Sequence, residues 1–454
     1  MSNRWLVVLG AVMIQVCLGA IYAWSVFTPP LIAAGWTKLD TQIVFSVELL
    51  TFAVAMVFAG RLLAKHGPRR LVLTGGLVLG AGYVLTGLLG ATSFWVVCLG
   101  VGLIGGIGIG LGYVVPIAVG MRWFPDKKGL ITGLAVAGFG FGAMGWVKLA
   151  DAWGHLLDTI GLANTFLVYG AAFAGLVVIG SLWMKMPPDG WRPEGYTPPA
   201  ATAGAGGEEF TQKEMFFTPQ FHLICFTFAV SAGAGLMSIG LMKLYPMEAL
   251  QAAGYEPSEA SVIAGTAMAV FFSLANGLGR ILWGSLSDRL GRKRTLVSMT
   301  ALQAGVLFAF TFMAGNEYLL YLGATLIGFN FGGNFALFPT LTADLFGAKR
   351  VGQNYPLVFL SYGIGGVAGP LLGGMLGDLG NFPLAFSICA GACLLGALAT
   401  LMVATPDHAE AARPLSVHGF LHQMHLEIVE DVVDHALHPE HFQRVTPPKN
   451  SGKG

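Results

Sequence analysis

Twelve long apolar runs leave this chain few ways to fold. They lie at about 5–34, 41–64, 70–90, 94–121, 128–150, 161–185, 217–245, 259–286, 294–314, 317–340, 351–376 and 382–404. A helix crossing a ~30 Å hydrocarbon core needs about 20 predominantly apolar residues. In lipid every backbone N–H and C=O must be satisfied within the protein, so runs of this length are helices. Only 11% of the residues are charged, against about 25% in soluble domains. The expected fold class is all-α integral membrane, with 12 transmembrane helices. The net charge of +1 gives no sign of a nucleic-acid partner. The 65 glycines suit helices that approach closely in lipid. Cys17, Cys98, Cys225, Cys389 and Cys393 all fall in apolar runs and read as free thiols. The run from Trp5 is too long for the apolar core of a cleaved signal peptide and reads as a first span.

An even number of spans puts both termini on one side. Lys and Arg choose the side. The loops after runs 2, 4, 8 and 10 hold thirteen of them, from Arg61 to Arg350, while the opposite loops hold only Lys38, Lys148 and Lys243. Both termini and the basic loops are therefore expected in the cytoplasm, with the protein multi-pass in a cell (inner) membrane and lipid around it.

The two halves repeat. GRLLAKHGPRR at 60–70 aligns with GSLSDRLGRKR at 284–294, an offset of 224; Pro116 and the Trp123–Lys128 stretch align with Pro339 and the Leu345–Arg350 stretch at an offset near 223. Two six-helix repeats mark a transporter with its site at their interface. The expected units are an N-terminal half at 1–185, a Pro/Gly/Ala-rich cytoplasmic linker at 186–216, a C-terminal half at 217–404 and a cytoplasmic tail at 405–454. A short surface helix is expected at Glu208–Phe216. The tail carries seven of the ten histidines. His418, His422 and His425 share a helical face, but their spacing is not a standard zinc pattern, and a polar surface helix is the expected reading, with no metal.

The second basic motif, from Gly284 through Asp288-Arg289 to Gly291-Arg292-Lys293-Arg294, resembles the signature loop of the major facilitator superfamily. The first departs from it at Lys65, where an aspartate is usual. GAIYAWSVFTPPL at 19–31, LFPTLTADLFGAKRVGQNY at 337–355 and the glycine-rich run at 363–374 are similar to the oxalate/formate antiporter and monocarboxylate-transporter branch. The resemblance covers residues 1–405. It implies two halves rocking about a central site that takes small organic anions, with a proton accompanying the anion in monocarboxylate relatives.

Arg280 is the only Lys or Arg placed well inside a span. An arginine in hydrocarbon costs at least ~2.5–3.5 kcal/mol by insertion scales. Its planar fork can hold a carboxylate through two parallel hydrogen bonds. The alternative is snorkelling to the cytoplasmic face, but Arg280 lies eight residues before Asp288, about 12 Å along a helix. The branch resemblance points to the same residue. Asn276, one turn earlier on the same face, can bond a substrate hydroxyl, steer Arg280 or serve helix packing. The resemblance implies an aspartate there in many relatives; here the position is neutral, which leaves Arg280 without an adjacent carboxylate. Phe331 and Phe335 on span 10, beside Asn330 and Asn334, can wall a short hydrocarbon tail or simply pack. Phe359 and Tyr362 on span 11, Tyr22 on span 1 and Tyr113 on span 4 are further candidates. The resemblance implies a second cation on span 11 in oxalate exchangers, and this span has none after Arg350. One cation suits a monocarboxylate.

Glu48 lies inside span 2 and reads as a proton carrier or a gate contact. Asp288 is expected to lock the cytoplasmic side. Asp151, His155 and Asp158 cluster at the outer end of span 5 with Lys148 just inside, as an outer gate or a wet loop. The glycine runs at 105–112 and 138–145 neither follow a strand nor open a βαβ unit, so they serve helix contacts rather than nucleotide binding. No enzyme and no cofactor is expected. The leading expectation is a secondary transporter for small monocarboxylates such as lactate or pyruvate, by proton-coupled symport. The alternatives are an anion exchanger of oxalate/formate type and a membrane sensor that moves nothing.

Overall fold

A computed structural model describes residues 4–124, 128–151, 153–188, 193, 209–347 and 350–406. The His-rich tail, most of the linker at 186–216 and Pro125–Lys127 of the first basic repeat lie outside the described residues.

The described chain is helical, with twelve long segments. In the N-terminal half, α1 is Trp5–Leu18, continued by a 3-10 stretch Gly19–Val26; α2 is Lys38–His66 and α3 Pro68–Leu89. α4 is built from Phe94–Val97, a π-helical stretch Cys98–Gly105 and Gly106–Trp123; α5 is Lys128–Ala150 and α6 Gly161–Ser181. In the C-terminal half, α7 is Pro219–Leu241 and α8 joins Pro257–Thr266, a π-helical stretch Ala267–Phe272 and Ser273–Leu290. α9 is Arg292–Met313, α10 Glu317–Phe346, α11 Val351–Asp378 and α12 Phe382–Leu401. Ten of the twelve contain a window long and apolar enough to cross a membrane. α5 has a shorter apolar stretch at Leu134–Ala150, and α10 is made more polar by Asn330 and Asn334.

Local chemistry explains the ends. Thr37 and Asp40 form a capping box at α2, and the side chains of Thr218, Asn316 and Asn381 cap α7, α10 and α12; each satisfies an orphan N–H of a first turn. The repeated basic motif is a repeated turn. Gly67 and Gly291 stand 224 residues apart, at φ 77° and 88°, and each joins two helices with no further residue between them. A side chain at such a φ is strained, which is why glycine holds the turn. Pro116 and Pro339 likewise fall inside α4 and α10.

Two expectations need correction and a third is narrowed. The first run leaves the α-helix well before the Pro29-Pro30 pair that would break it near its outer end. It tightens to 3-10 at Gly19, and a new helix, Thr28–Ala33, starts with Pro29 and Pro30 in its first turn, where proline is tolerated because those N–H groups are unpaired anyway. The seventh run stops at Leu241, and the chain turns into a second helix, Leu244–Ala252. The surface helix expected at Glu208–Phe216 is present but shorter, Gln212–Phe216, and it is docked on the bundle: Lys213 and Phe216 are exposed, Met215 and the preceding Phe210 are fully buried, and Asn354 donates to the Phe210 carbonyl at 3.0 Å.

Within each half small residues let backbones touch. A Cβ on Gly80 of α3 would stand 2.6 Å from the Gly170 carbonyl oxygen of α6. The halves meet along two main seams, α2 on α11 and α5 on α8. At the first, Gly363 and Gly366 face Ala53 and Leu49; at the second, Gly140 faces the Gly277 backbone. Trp95, Phe312, Tyr318 and Trp153 are strongly exposed near the ends away from the basic turns, as an aromatic belt at a lipid–water interface requires.

Candidate functional site

The π-helical stretch of α8 ends just before Asn276 and Arg280, which point inward and are 0% and 1% exposed. Arg280 Nε donates to Asn276 Oδ1 at 3.3 Å. This bond uses the inner nitrogen of the fork and leaves the outer two pointing forward. Neither terminal nitrogen has a hydrogen-bond partner among the described residues, nor does Asn276 Nδ2. The guanidinium carbon lies 4.1 Å from the Phe335 ring centre and 5.7 Å from that of Phe139. Aromatic faces attract a cation, but they take no N–H bond in the plane of the fork. Among the described residues no carboxylate pairs with Arg280.

Rings close around this head group from both halves. Tyr22 and Tyr113 hold their hydroxyls beside the guanidinium, near enough to interact with it. Tyr22 and Tyr362 join their hydroxyls at 3.1 Å across the two halves. The Tyr22 ring meets Phe331 edge-on at 5.4 Å, Phe331 meets Phe335 at 5.2 Å, and Phe359 stacks on Tyr362 at 4.7 Å. Tyr113 reaches Phe359 at 5.9 Å. The six rings and Asn276 singled out for substrate binding thus gather in a box around the one cation, Arg280. The 3-10 stretch of α1 is pressed against α5, where a Cβ on Gly19 would stand 2.8 Å from the Phe139 carbonyl carbon, and this carries Tyr22 to the box.

Phe52 on α2 and Phe139 on α5 were not anticipated. Phe52 touches Tyr113, Phe359 and Tyr362 at 5.2, 5.3 and 5.7 Å, and Phe139 touches Tyr22 and Tyr113 at 5.0 and 5.2 Å. A phenylalanine in an apolar helix carries no signal of which face looks inward, so sequence could not pick them from the other 29 of the 31. Asn334 is turned away: it accepts from Ser231 on α7 at 2.9 Å and donates to the Phe331 carbonyl at 3.1 Å.

The acid and gate candidates lie elsewhere. Glu48 is fully buried on α2 and neither carboxyl oxygen has a hydrogen-bond partner among the described residues. It faces the π-helical stretch of α4, with Oε1 3.6 Å from where a Cβ on Gly105 would stand. Asp288 is largely exposed and pairs with Arg292 at 2.6 Å, which also reaches Asp344 at 3.2 Å and Ser287; all belong to the C-terminal half. At the opposite end, Asp151 of the α5 end pairs with Lys243 at 3.0 Å, and Lys148 donates to Thr266 at 3.1 Å. These contacts cross between the halves. Asp378 at the end of α11 accepts from the backbone N–H groups of Lys38 and Leu39 at 2.9 and 3.1 Å, and Lys38 pairs with Glu248 at 2.5 Å.

Known proteins match this chain along most of its length. The sequence model of the Major Facilitator Superfamily matches residues 7–268 and 244–429, so the likeness runs past residue 405 into the tail. An uncharacterized MFS-type transporter of Escherichia coli (strain K12), YhjX, is 30% identical over 80% of this chain and 86% of its own length. The oxalate:formate antiporter of Oxalobacter formigenes is 25% identical over 89% and 92%. Monocarboxylate transporter 13 of Rattus norvegicus is 26% identical over 87% and 88%. With two six-helix halves, repeated basic turns and these matches, the chain belongs to the major facilitator superfamily of membrane transporters, among the relatives of its oxalate/formate and monocarboxylate branch.

Proposed function

We propose that the protein is a secondary transporter of small monocarboxylates of the lactate or pyruvate kind, working by proton-coupled symport. One observation carries this reading: a buried guanidinium with both terminal nitrogens unpartnered, inside a box of rings contributed by both halves. A carboxylate supplies the two missing acceptors and the missing charge. Phe331, Phe335, Phe359 and the ring of Tyr362 accommodate two or three carbons, and the hydroxyls of Tyr22, Tyr113 and Tyr362 serve a keto or hydroxyl group. With one cation in the box, a second carboxylate would be left uncompensated.

The seams α2/α11 and α5/α8 are the lines about which halves at 1–185 and 217–404 rock. The linker at 186–216 and the tail at 405–454 lie on the cytoplasmic side with the basic turns, in the inner membrane. The proton accompanies the anion because a carboxylate on Arg280 plus one proton moves no net charge through the buried site beyond that of the arginine. Glu48 is the carboxyl inside a span that can hold that proton.

Uptake of labelled C2–C5 acids into vesicles carrying the purified protein tests this. An inward proton gradient should accelerate lactate or pyruvate uptake into vesicles with no internal anion, and oxalate should be a poor substrate. A second reading, obligatory anion exchange, is favoured by the relative named as an oxalate:formate antiporter; it requires uptake only when an anion is present inside. Absence of flux in every gradient would sink both and leave a sensor. Asn276→Ala frees the inner nitrogen and lets the fork rotate. The expected result is a KM raised about tenfold, the size of one lost hydrogen bond to a charged group, with protein level unchanged.

A further inference from the structure

The box uses one cation, yet two more are buried at the end away from the basic turns. Lys148 is 8% and Lys243 4% exposed. One carboxylate, Asp151, serves them. It pairs with Lys243, which also donates to the Ser261 carbonyl at 2.7 Å, while the only side-chain partner of Lys148 among the described residues is the hydroxyl of Thr266. Among the described residues the cluster therefore carries one positive charge more than its one carboxylate balances, in a protected place. It also spans both halves: Lys148 belongs to α5 and Asp151 directly follows it, Lys243 follows α7, and Ser261 and Thr266 lie on the first part of α8. The ion pair rests on bare α8 backbone, since a Cβ on Gly265 would stand 2.8 Å from Asp151 Oδ2 and 3.0 Å from Lys243 Nζ. The same helix carries Arg280 about 20 Å further on, beyond its π-helical stretch.

Separating the halves at this end removes Asp151 from Lys243. A largely buried cation that loses its partner is left uncompensated, which is strongly destabilising. The other contacts across this end are the half-exposed Lys38–Glu248 pair, worth little, and the backbone N–H groups of Lys38 and Leu39 on Asp378, which leave no charge buried when they part. An anion that replaces Asp151 removes the obstacle. We propose that Lys148 and Lys243 form a second, entrance site for a small carboxylate, and that the carboxylate opens this end by taking the place of Asp151. The inference rests on the proposed carriage of small carboxylates and adds a site and a trigger to it. A ligand shifts a conformational equilibrium only through its differential affinity for the two states, and here the difference is that the open state offers two lysines without their aspartate.

Hydrogen–deuterium exchange on the purified full-length protein tests the proposal, read at segments 153–160 and 257–266. Sodium lactate should speed exchange there about tenfold, the shift given by about 1.4 kcal/mol of differential binding, and sodium chloride at equal ionic strength should not. Arg280→Ala, which removes the cation of the box, should keep the lactate response. Lys148→Gln should lose it and Lys148→Arg retain it, both eluting as the wild type does in size exclusion. Asp151→Asn should exchange fast without any anion. An equal response to chloride, a response lost in Arg280→Ala, or a response kept in Lys148→Gln would overturn the proposal. A protein with lactate flux but no lactate-induced exchange faults this inference alone; one with the response but no flux supports it and faults the transport reading.

Discussion

Arg280→Ala should abolish the proposed uptake of monocarboxylates and leave the protein folded in the membrane. The substrate loses two charge-assisted hydrogen bonds at about 1.5–3 kcal/mol each, equivalent to roughly 10²–10⁴-fold in affinity. The fold loses little, because among the described residues the guanidinium makes one side-chain hydrogen bond at 3.3 Å and its two terminal nitrogens have no partner. Removing an uncompensated buried cation relieves a cost that insertion scales put at ~2.5–3.5 kcal/mol. The variant should therefore melt no lower than the wild type while transport vanishes. Arg280→Lys separates charge from geometry: it keeps the cation but not the planar fork, nor the Nε donor that Asn276 holds, and should retain only about 1% of kcat/KM, on the order of a 10²-fold loss. Vesicle uptake and a thermal melt of the same preparations decide the matter. Normal uptake by Arg280→Ala would end the proposal, and a collapsed melt would make the residue structural.

Gly332→Ala should lose both transport and stability. α10 crosses α8 at Gly332 with no side chain between them. An added Cβ would stand 2.9 Å from the Asn276 carbonyl carbon and 3.0 Å from Asn276 Oδ1, and closer still to the Asn276 carbonyl oxygen. Backbone cannot yield as a flexible side chain can, so α10 must move away from α8. Overpacking of this kind costs about 1–3 kcal/mol, and it displaces the amide that orients Arg280 together with Phe331 and Phe335 on either side. Transport should fall by about 10²-fold, since ångström-scale misplacement at a site has effects of that order. Gly305→Ala is the control. Nothing lies within 4 Å of its Cβ position on α9, and alanine is the better helix former there by about 0.5–1 kcal/mol, so stability should hold or rise with transport intact. Equal melts for the two variants would mean that α8 and α10 are not in rigid contact at Asn276.

The helix count, the twofold repeat and the basic turns were legible in the chain itself, because each rests on a local rule. Lipid demands long apolar helices, a turn at positive φ demands glycine, and a buried arginine is too costly to be incidental. Arg280 and Asn276 could be paired from spacing alone, since residues four apart share a helix face. The aromatic box was legible in part: Tyr22, Tyr113, Phe331, Phe335, Phe359 and Tyr362 stand out through polar tips or motif likeness, but nothing distinguished Phe52 and Phe139 from the rings that face lipid. In a membrane helix apolar residues occupy both the lipid side and the core, so hydrophobic periodicity no longer reports the inward face. The break of the first run into a 3-10 stretch, which sets Tyr22, depends on the pressure of α5 against Gly19.

What the sequence by itself determined is therefore what a single helix must satisfy alone: its length, its ends and the presence of one cation inside it. Only the tertiary structure decided which groups that cation meets and which it lacks, and that Lys148, Asp151 and Lys243 join the halves at the far end. Partners 92 residues apart, as Asp151 and Lys243 are, are brought together by the packing of six helices on six, and no local rule records that packing.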